Sequence, residues 1–209
     1  MKKTMLSISV LLMVAVTNAQ SIQTKEKRMS KKLETAIVAN GCFWCTEAVF
    51  QLLEGVTSVT SGYTGGTTKN PTYKEISTGQ TDHAEAIKIV FDPQVISYQE
   101  LLEVFFSTHD PTTLNRQGYD KGTQYRSAIF YNSSTQKETA TALIEALSKA
   151  EVFNSPIVTE VTALGEFYKA EDYHQNYYNN NKTQGYCVAV INPKLEKFIK
   201  NYKDKLKKQ

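Results

Sequence analysis

Cysteine is scarce in this chain, with three among 209 residues, at Cys42, Cys45 and Cys187. A small odd number is a poor disulfide framework, so a fold that depends on covalent staples is excluded, and at least one thiol is free or the three exchange. Histidine is as sparse, and none of its three copies pairs with another at short spacing. A closed zinc site wants four ligands, usually with a second Cys or His pair, so Cys42-x-x-Cys45 reads as redox chemistry rather than metal binding. Of four methionines, only Met29 lies beyond residue 13. The apolar run Met5–Val16, broken by two serines, is shorter than the roughly 18 to 20 residues a membrane span needs. No basic cluster interleaved with aromatics appears, so nucleic acid is not an expected partner. Internal repeats, low-complexity segments and Pro/Gly-rich linkers are missing too.

What is present begins with a leader. Lys2 and Lys3 precede the apolar run, and Thr17-Asn18-Ala19 offers small residues for cleavage near Ala19, the pattern of a secretory signal peptide over residues 1–19. No cysteine follows the cleavage point to carry a lipid, so export to a periplasmic or extracellular compartment without a stable membrane anchor is expected. Losing the two lysines takes the formal charge from +3 to +1. A basic extension then covers residues 20–33, and residues 34–206 suit a single catalytic domain including its C-terminal tail.

Chemistry concentrates in Gly41-Cys42-Phe43-Trp44-Cys45-Thr46-Glu47. It follows the β-branched run Thr35–Ala39 and precedes the apolar-periodic Ala48–Leu53, which reads as strand, tight glycine turn and helix. Cys42 then sits at or near the first helical position, where unpaired N–H groups and the helix dipole favour a thiolate.

Further strands are expected at Val56–Ser61, broken by Gly62–Gly66, and at Ala86–Phe91, Ser127–Tyr131 and Ile157–Ala163. Ser97-x-x-Glu100 caps a helix over Tyr98–Ser107 with Leu101, Leu102, Phe105 and Phe106 on its apolar face, and Thr135-x-x-Glu138 caps another reaching Ala150. A loop spans Thr108–Arg126. This order is the ferredoxin-like split βαβ, giving an α+β two-layer sandwich with helices on one face and an irregular C-terminal tail. Polar residues gather in loops around Tyr73, Asp82–Glu85, His109, Gln117–Arg126, His174–Tyr177 and Gly185–Cys187, where a rigid scaffold usually carries its catalytic groups.

Five segments carry a resemblance: Gly41-Cys42-Phe43-Trp44, Gly62-Tyr63-Thr64-Gly65-Gly66, His83-Ala84-Glu85-Ala86, Gly122–Ser127 and His174-Gln175-x-x-Tyr178. In that order they resemble the A-type peptide methionine sulfoxide reductases, from the Cys42 strand through Cys187. The resemblance implies reduction of methionine (S)-sulfoxide, in oxidised proteins and peptides or free, as a repair activity. Cys42 would attack the sulfoxide sulfur, and Phe43 and Trp44 would hold the S-methyl group. Glu85 would protonate the sulfoxide oxygen, and Tyr73 and Tyr125 would hydrogen-bond it. Asp120 and His174 would bind substrate or order the loops. A carboxyl kept neutral in an aromatic pocket suits the step, because the oxygen leaves poorly until protonated.

The product on Cys42 would be a sulfenic acid that a second thiol must resolve. The commonest family pattern has glycine where this chain has Cys45, and its glycine-rich tail is absent here. Cys187, beside Gly185 in a segment able to swing, is the expected resolver, because a bridge from Cys42 to Cys45 within one helical turn would be tight. Cys45 remains the alternative, or the relay to the reductant. No prosthetic cofactor or metal is implied; the disulfide needs an external dithiol, a thioredoxin or thioredoxin-like domain, and a monomer is expected. Two other classes stay open: a thioredoxin-type dithiol oxidoreductase, and a non-enzymatic binding protein using its tyrosine-rich loops.

Overall fold

The computed structural model describes residues 32–208, so the expected leader and nearly all of the basic extension lie outside the described residues. Strand β1 (Glu34–Asn40) leads through Gly41 and Cys42 into helix α1 (Phe43–Phe50), and strand β2 (Val56–Thr64) follows. A one-turn helix, α2 (Tyr73–Ile76), precedes strand β3 (Ala84–Phe91), helix α3 (Tyr98–Ser107) and strand β4 (Ser127–Tyr131). Helix α4 (Ser134–Lys149), strands β5 (Glu160–Ala163) and β6 (Tyr168–Lys169), and helices α5 (Tyr177–Asn180) and α6 (Asn192–Asn201) complete the order.

The six strands form one sheet in the order β5-β4-β1-β3-β2-β6. Its middle four, β4-β1-β3-β2, are antiparallel throughout, the ferredoxin-like arrangement expected. β5 adds in parallel beside β4, and β6 adds antiparallel beside β2. Side chains alternate along β1: Ala36 and Val38 enter the main core under the helices, while Ile37 and Ala39 point to the other face. There they meet Ala84, Ala86, Ala128 and Phe130, with Leu164 and Phe167 from the β5–β6 connection packed against them. The second face is therefore covered by a loop rather than a helix.

Four expectations need correction. The second strand does not break at Gly62; it runs on to Thr64, with Gly62 paired to Ala86 on one side and Lys169 on the other. Glycine is there because a Cβ would collide with the Phe167 ring and the Tyr168 carbonyl, so it marks close approach and not a turn. Helix α4 is capped by Ser133, whose side chain accepts from the Gln136 N–H, two residues before the Thr135 cap expected from the sequence. The loop Thr108–Arg126 contains a small ladder of Arg116–Gln117 with Asp120–Lys121 and a 3-10 turn at Thr123–Tyr125. The tail is not irregular either. A π-helical turn at Cys187–Ile191 runs into α6, where Pro193 occupies the first turn and Leu195 and Phe198 are buried. Proline near a helix start and apolar residues three apart outweigh the run of lysines. Among the described residues, no helix is long and apolar enough to cross a membrane.

Candidate active site

The site is built at the mouth of the β1–α1 turn. Gly41 takes φ 92°, open to glycine, and a Cβ there would meet the Gln117 side chain at 2.7 Å. Cys42 follows as the N-cap, with φ −54° and ψ 121°, so it stands just outside the helix rather than within its first turn. α1 is too short to persist alone. It is held by burial: Phe43, Cys45, Thr46, Glu47, Ala48, Val49 and Phe50 are all buried, leaving Trp44 half-exposed at the rim. Sequestering a phenylalanine such as Phe43 or Phe50 contributes on the order of 2–3 kcal/mol. The Thr46 hydroxyl ties the turn to Asn40 and to the Cys42 carbonyl.

Glu85 reaches this turn from the sheet. It lies on β3 opposite Tyr63 of β2, is 2% exposed, and accepts a 3.1 Å hydrogen bond from the Phe43 N–H. Burial pushes its carboxyl up to about 8; the Phe43 N–H opposes this, and the Asp120 and Cys45 charges add to it. A carboxylic acid is thus held neutral at pH 7 beside Cys42, in the manner expected of a general acid. Tyr73 and Tyr125 converge on the same place. Burial and the Glu85 charge raise both phenols, Tyr73 to about 12, so both remain hydroxyl donors.

Trp44 is fixed from two sides. Its indole N–H donates to His174 Nδ1 at 3.0 Å, and its ring stacks on Tyr177 at 3.7 Å and 8°. His174 is fully buried and desolvation lowers its pKa, so it stays neutral with the Nδ1 lone pair toward Trp44. Among the described residues its Nε2 has no hydrogen-bond partner, and it faces Glu171 at 3.9 Å. Glu171 in turn accepts from the Tyr63 hydroxyl and the Tyr73 N–H, both at 2.8 Å, so it positions Tyr73.

Residues that the sequence reading gave no role complete the frame. Glu47, 2% exposed, accepts from the N–H groups of Asn176 and Tyr177 and so anchors the loop that carries the stacking ring. Gln175 pairs by its side-chain amide with both backbone groups of Ser61, tying the same loop to β2. Glu47 lay inside the sequence stretch that marked the nucleophile, but only the fold reveals its partners. His83, part of a quoted motif, is structural: its Nδ1 accepts from the Gly66 N–H and its Nε2 bonds the Thr68 carbonyl.

The three thiols are free and buried, and two of them act as a unit. Burial drives the Cys42 thiol well above its ordinary range, and hydrogen bonding with and charge on Cys45 push it further; the Tyr186 hydroxyl opposes them. Cys45 is pulled down to about 7, chiefly by its hydrogen bond with Cys42, against desolvation and with help from Lys194 and Tyr186. The expectation of a thiolate on Cys42 alone gives way to a coupled pair: burial holds the proton on Cys42, and the hydrogen bond with Cys42 draws Cys45 down. Cys42 as the N-cap and Cys45 as the third helical residue stand in the relation that a capping box joins.

Cys187 is 0% exposed within the π-helical turn, not in a swinging segment, and burial with the nearby Cys45 charge raises its thiol. The Tyr186 hydroxyl donates to Asp120 Oδ2 at 2.8 Å and lies 3.7 Å from Cys45 Sγ. Cys42, Cys45, Tyr186, Asp120, Tyr119 and Lys194 line a cavity of ≈ 310 Å³ that opens the pair to solvent. Larger hollows elsewhere on the surface touch none of the thiols. Among the described residues, no group of three His, Cys, Asp or Glu side chains could hold a metal.

The family model for peptide methionine sulfoxide reductase matches residues 34–207. The chain is 55% identical over 195 residues to the peptide methionine sulfoxide reductase MsrA of Deinococcus radiodurans, covering 93% of this chain and 92% of that one. It is similar to Mxr1 of Saccharomyces cerevisiae in reduced form, with a TM-score of 0.70 and 35% identity over 75% of this chain and 90% of that one. Mxr1 in complex with Trx2 matches with a TM-score of 0.51 and 26% identity, over 70% and 85% of the two chains. With the family model's match spanning the residues that carry the buried carboxyl, the two phenols and the thiol pair, the chain belongs to the A-type peptide methionine sulfoxide reductases, oxidoreductases that return methionine sulfoxide to methionine at the expense of thiols.

Proposed function

We propose that catalysis divides between the two cysteines of the β1–α1 turn. Cys42 passes its proton to the Cys45 thiolate and attacks the sulfoxide sulfur, while Glu85 protonates the sulfoxide oxygen between the Tyr73 and Tyr125 hydroxyls. The attack forms a bond between Cys42 sulfur and the substrate sulfur; that bond and the substrate S–O bond then break as the protonated oxygen passes to Cys42, so methionine leaves and Cys42 carries a sulfenic acid. Phe43 and Trp44 hold the S-methyl group, with His174 keeping Trp44 in place and Asp120 at the cavity edge available to the substrate backbone. Cys45 then closes the first disulfide. The observation that carries this reading is Glu85, buried, neutral near pH 7 and hydrogen-bonded to the residue that follows Cys42.

The preferred substrate is the S epimer, in proteins or free. The disulfide is reduced by a thioredoxin-class dithiol, a reading supported by the yeast relative's complex with Trx2. The enzyme works as a monomer on exported proteins, after cleavage near Ala19; the Lys2–Ala19 pattern supports that location. Turnover with separated S and R sulfoxide epimers and a dithiol tests the chemistry: methionine should form from the S epimer alone. Equal rates with both would remove the Phe43–Trp44 pocket as the source of selectivity. Mass measurement of secreted protein should begin at Gln20.

A further inference from the structure

We propose that Tyr186 and Asp120 form a proton relay that arms Cys45 for disulfide formation. The inference rests on the reading above, in which Cys45 has just received the proton of Cys42. A protonated Cys45 is a poor nucleophile, since the thiolate is the attacking form. It must lose that proton before it can close on the sulfenic sulfur.

The structure supplies one short route. Cys45 Sγ lies 3.7 Å from the Tyr186 hydroxyl, and that hydroxyl donates to Asp120 Oδ2 at 2.8 Å. Tyr186 has a single proton to give. That proton can serve the Cys45 thiolate when Cys45 is ionised; while it points at Asp120, the Tyr186 oxygen faces a protonated Cys45 as the acceptor of its S–H. Moving the Cys45 proton to Tyr186 as the Tyr186 proton moves to Asp120 leaves a thiolate, an intact phenol and a neutral carboxyl. Asp120 borders the solvent-connected cavity and can shed its proton there. Phenolate never forms, as it must not, because burial strongly raises the Tyr186 phenol.

The atoms then balance. The Cys45 thiolate attacks Cys42 sulfur, an S–S bond forms and the S–O bond breaks. The departing hydroxide takes a proton from Glu85, reprotonated by solvent since the first step, and leaves as water. Cys45 sulfur is oxidised and Cys42 sulfur reduced. The groups facing Cys45 are Cys42, Tyr186, Lys194 and Asp120, with Glu85 and Cys187 within electrostatic reach. Of these, only Asp120 is reached through a hydroxyl that also touches Cys45.

The test compares the full-length reduced enzyme with Tyr186→Phe and Asp120→Asn in single turnover without added reductant. Methionine release, trapping of sulfenic acid by a cyclic dione and peptide mapping of the disulfide are followed in parallel. At pH 7 disulfide formation should fall about a hundredfold further than methionine release in both variants, the scale of general base catalysis, and sulfenic acid should accumulate. Asp120→Asn keeps a hydrogen-bond acceptor for Tyr186 but no base, so it separates proton transfer from positioning. Oxidation of Cys42 removes the thiol whose hydrogen bond is the main cause drawing Cys45 down, so Cys45 then needs the relay at pH 7, and a jump to pH 9.5 after sulfenic acid has formed should narrow the gap to wild type by ionising it directly. Disulfide formation that keeps pace with methionine release, or a gap unchanged by pH, overturns the relay. Wild type that makes no methionine, or maps only a Cys42–Cys187 bond, instead overturns the reading beneath it.

Discussion

Replacing Glu85 by glutamine should produce an enzyme that is more stable and nearly inactive. Glutamine has the same shape, can still accept from the Phe43 N–H and is neutral at every pH. The native carboxyl is raised from 4.5 to about 8. The folded state therefore binds a proton that the unfolded state has already released, and stability falls as pH rises between these two values. The difference corresponds to about 3 kcal/mol at pH 7 and levels off near about 5 kcal/mol above pH 8. Glu85→Gln removes that penalty, so its stability gain should be absent below pH 4.5, grow through neutrality and flatten above pH 8. Urea unfolding followed by circular dichroism at pH 4.5, 7 and 8.5 measures the gain. Single-turnover methionine release measures the loss, expected at 10²–10⁴-fold for a missing general acid. A stability difference that does not change with pH would mean Glu85 is ionised in the fold, and the proton-donor argument would fail with it.

Cys42→Ser should abolish methionine formation with the fold intact; measurable single-turnover product in that variant would displace Cys42 as the nucleophile. Cys45→Ser should still release one equivalent of methionine but lose most dithiol-driven turnover, whereas Cys187→Ser should lose less, since Cys187 is sealed in the π-helical turn; the opposite order in a thioredoxin-coupled assay would return the resolving role to Cys187. His109 bonds the Phe105 carbonyl and the Ser127 hydroxyl, and burial lowers its pKa to about 3. It stays neutral while the unfolded chain protonates below 6.5, so its contribution is whole above pH 6.5 and declines as pH falls toward 3. About 1–2 kcal/mol should be lost by pH 5, a loss that His109→Gln should flatten in acid titration of the melting midpoint. Gly66→Ala would press a methyl into the Thr81 carbonyl and the His83 N–H and should lower stability by about 1–3 kcal/mol in denaturant melts.

The β1–α1 turn was legible because a β-branched run, a glycine and an apolar helix surround Cys42 in direct succession. Ser97-x-x-Glu100 was legible because both halves of its capping box are local, and both form. Overlapping local signals misled. Ser133 and Thr135 each stand three residues before a Gln or Glu, and the choice went to Ser133, whose partner Gln136 also reaches the Thr35 carbonyl of β1. Glu85 could be read from the sequence only through its motif, because burial on β3 opposite Tyr63 is a property of strand pairing. The balance between Cys42 and Cys45 was hidden for a related reason. It depends on a one-residue shift of the helix start and on Lys194, Tyr186 and Asp120, which the chain brings from far downstream.

Trp44 is the protein's one tryptophan. It hydrogen-bonds to His174, stacks on Tyr177 and follows the Cys42-Phe43 pair directly. Every photon of indole emission therefore originates at the β1–α1 turn, beside Cys42. Thiol, sulfenic acid and disulfide place different quenchers near the same ring. The enzyme thus carries a built-in optical probe, and stopped-flow fluorescence of the unlabelled chain can time each step of its own cycle.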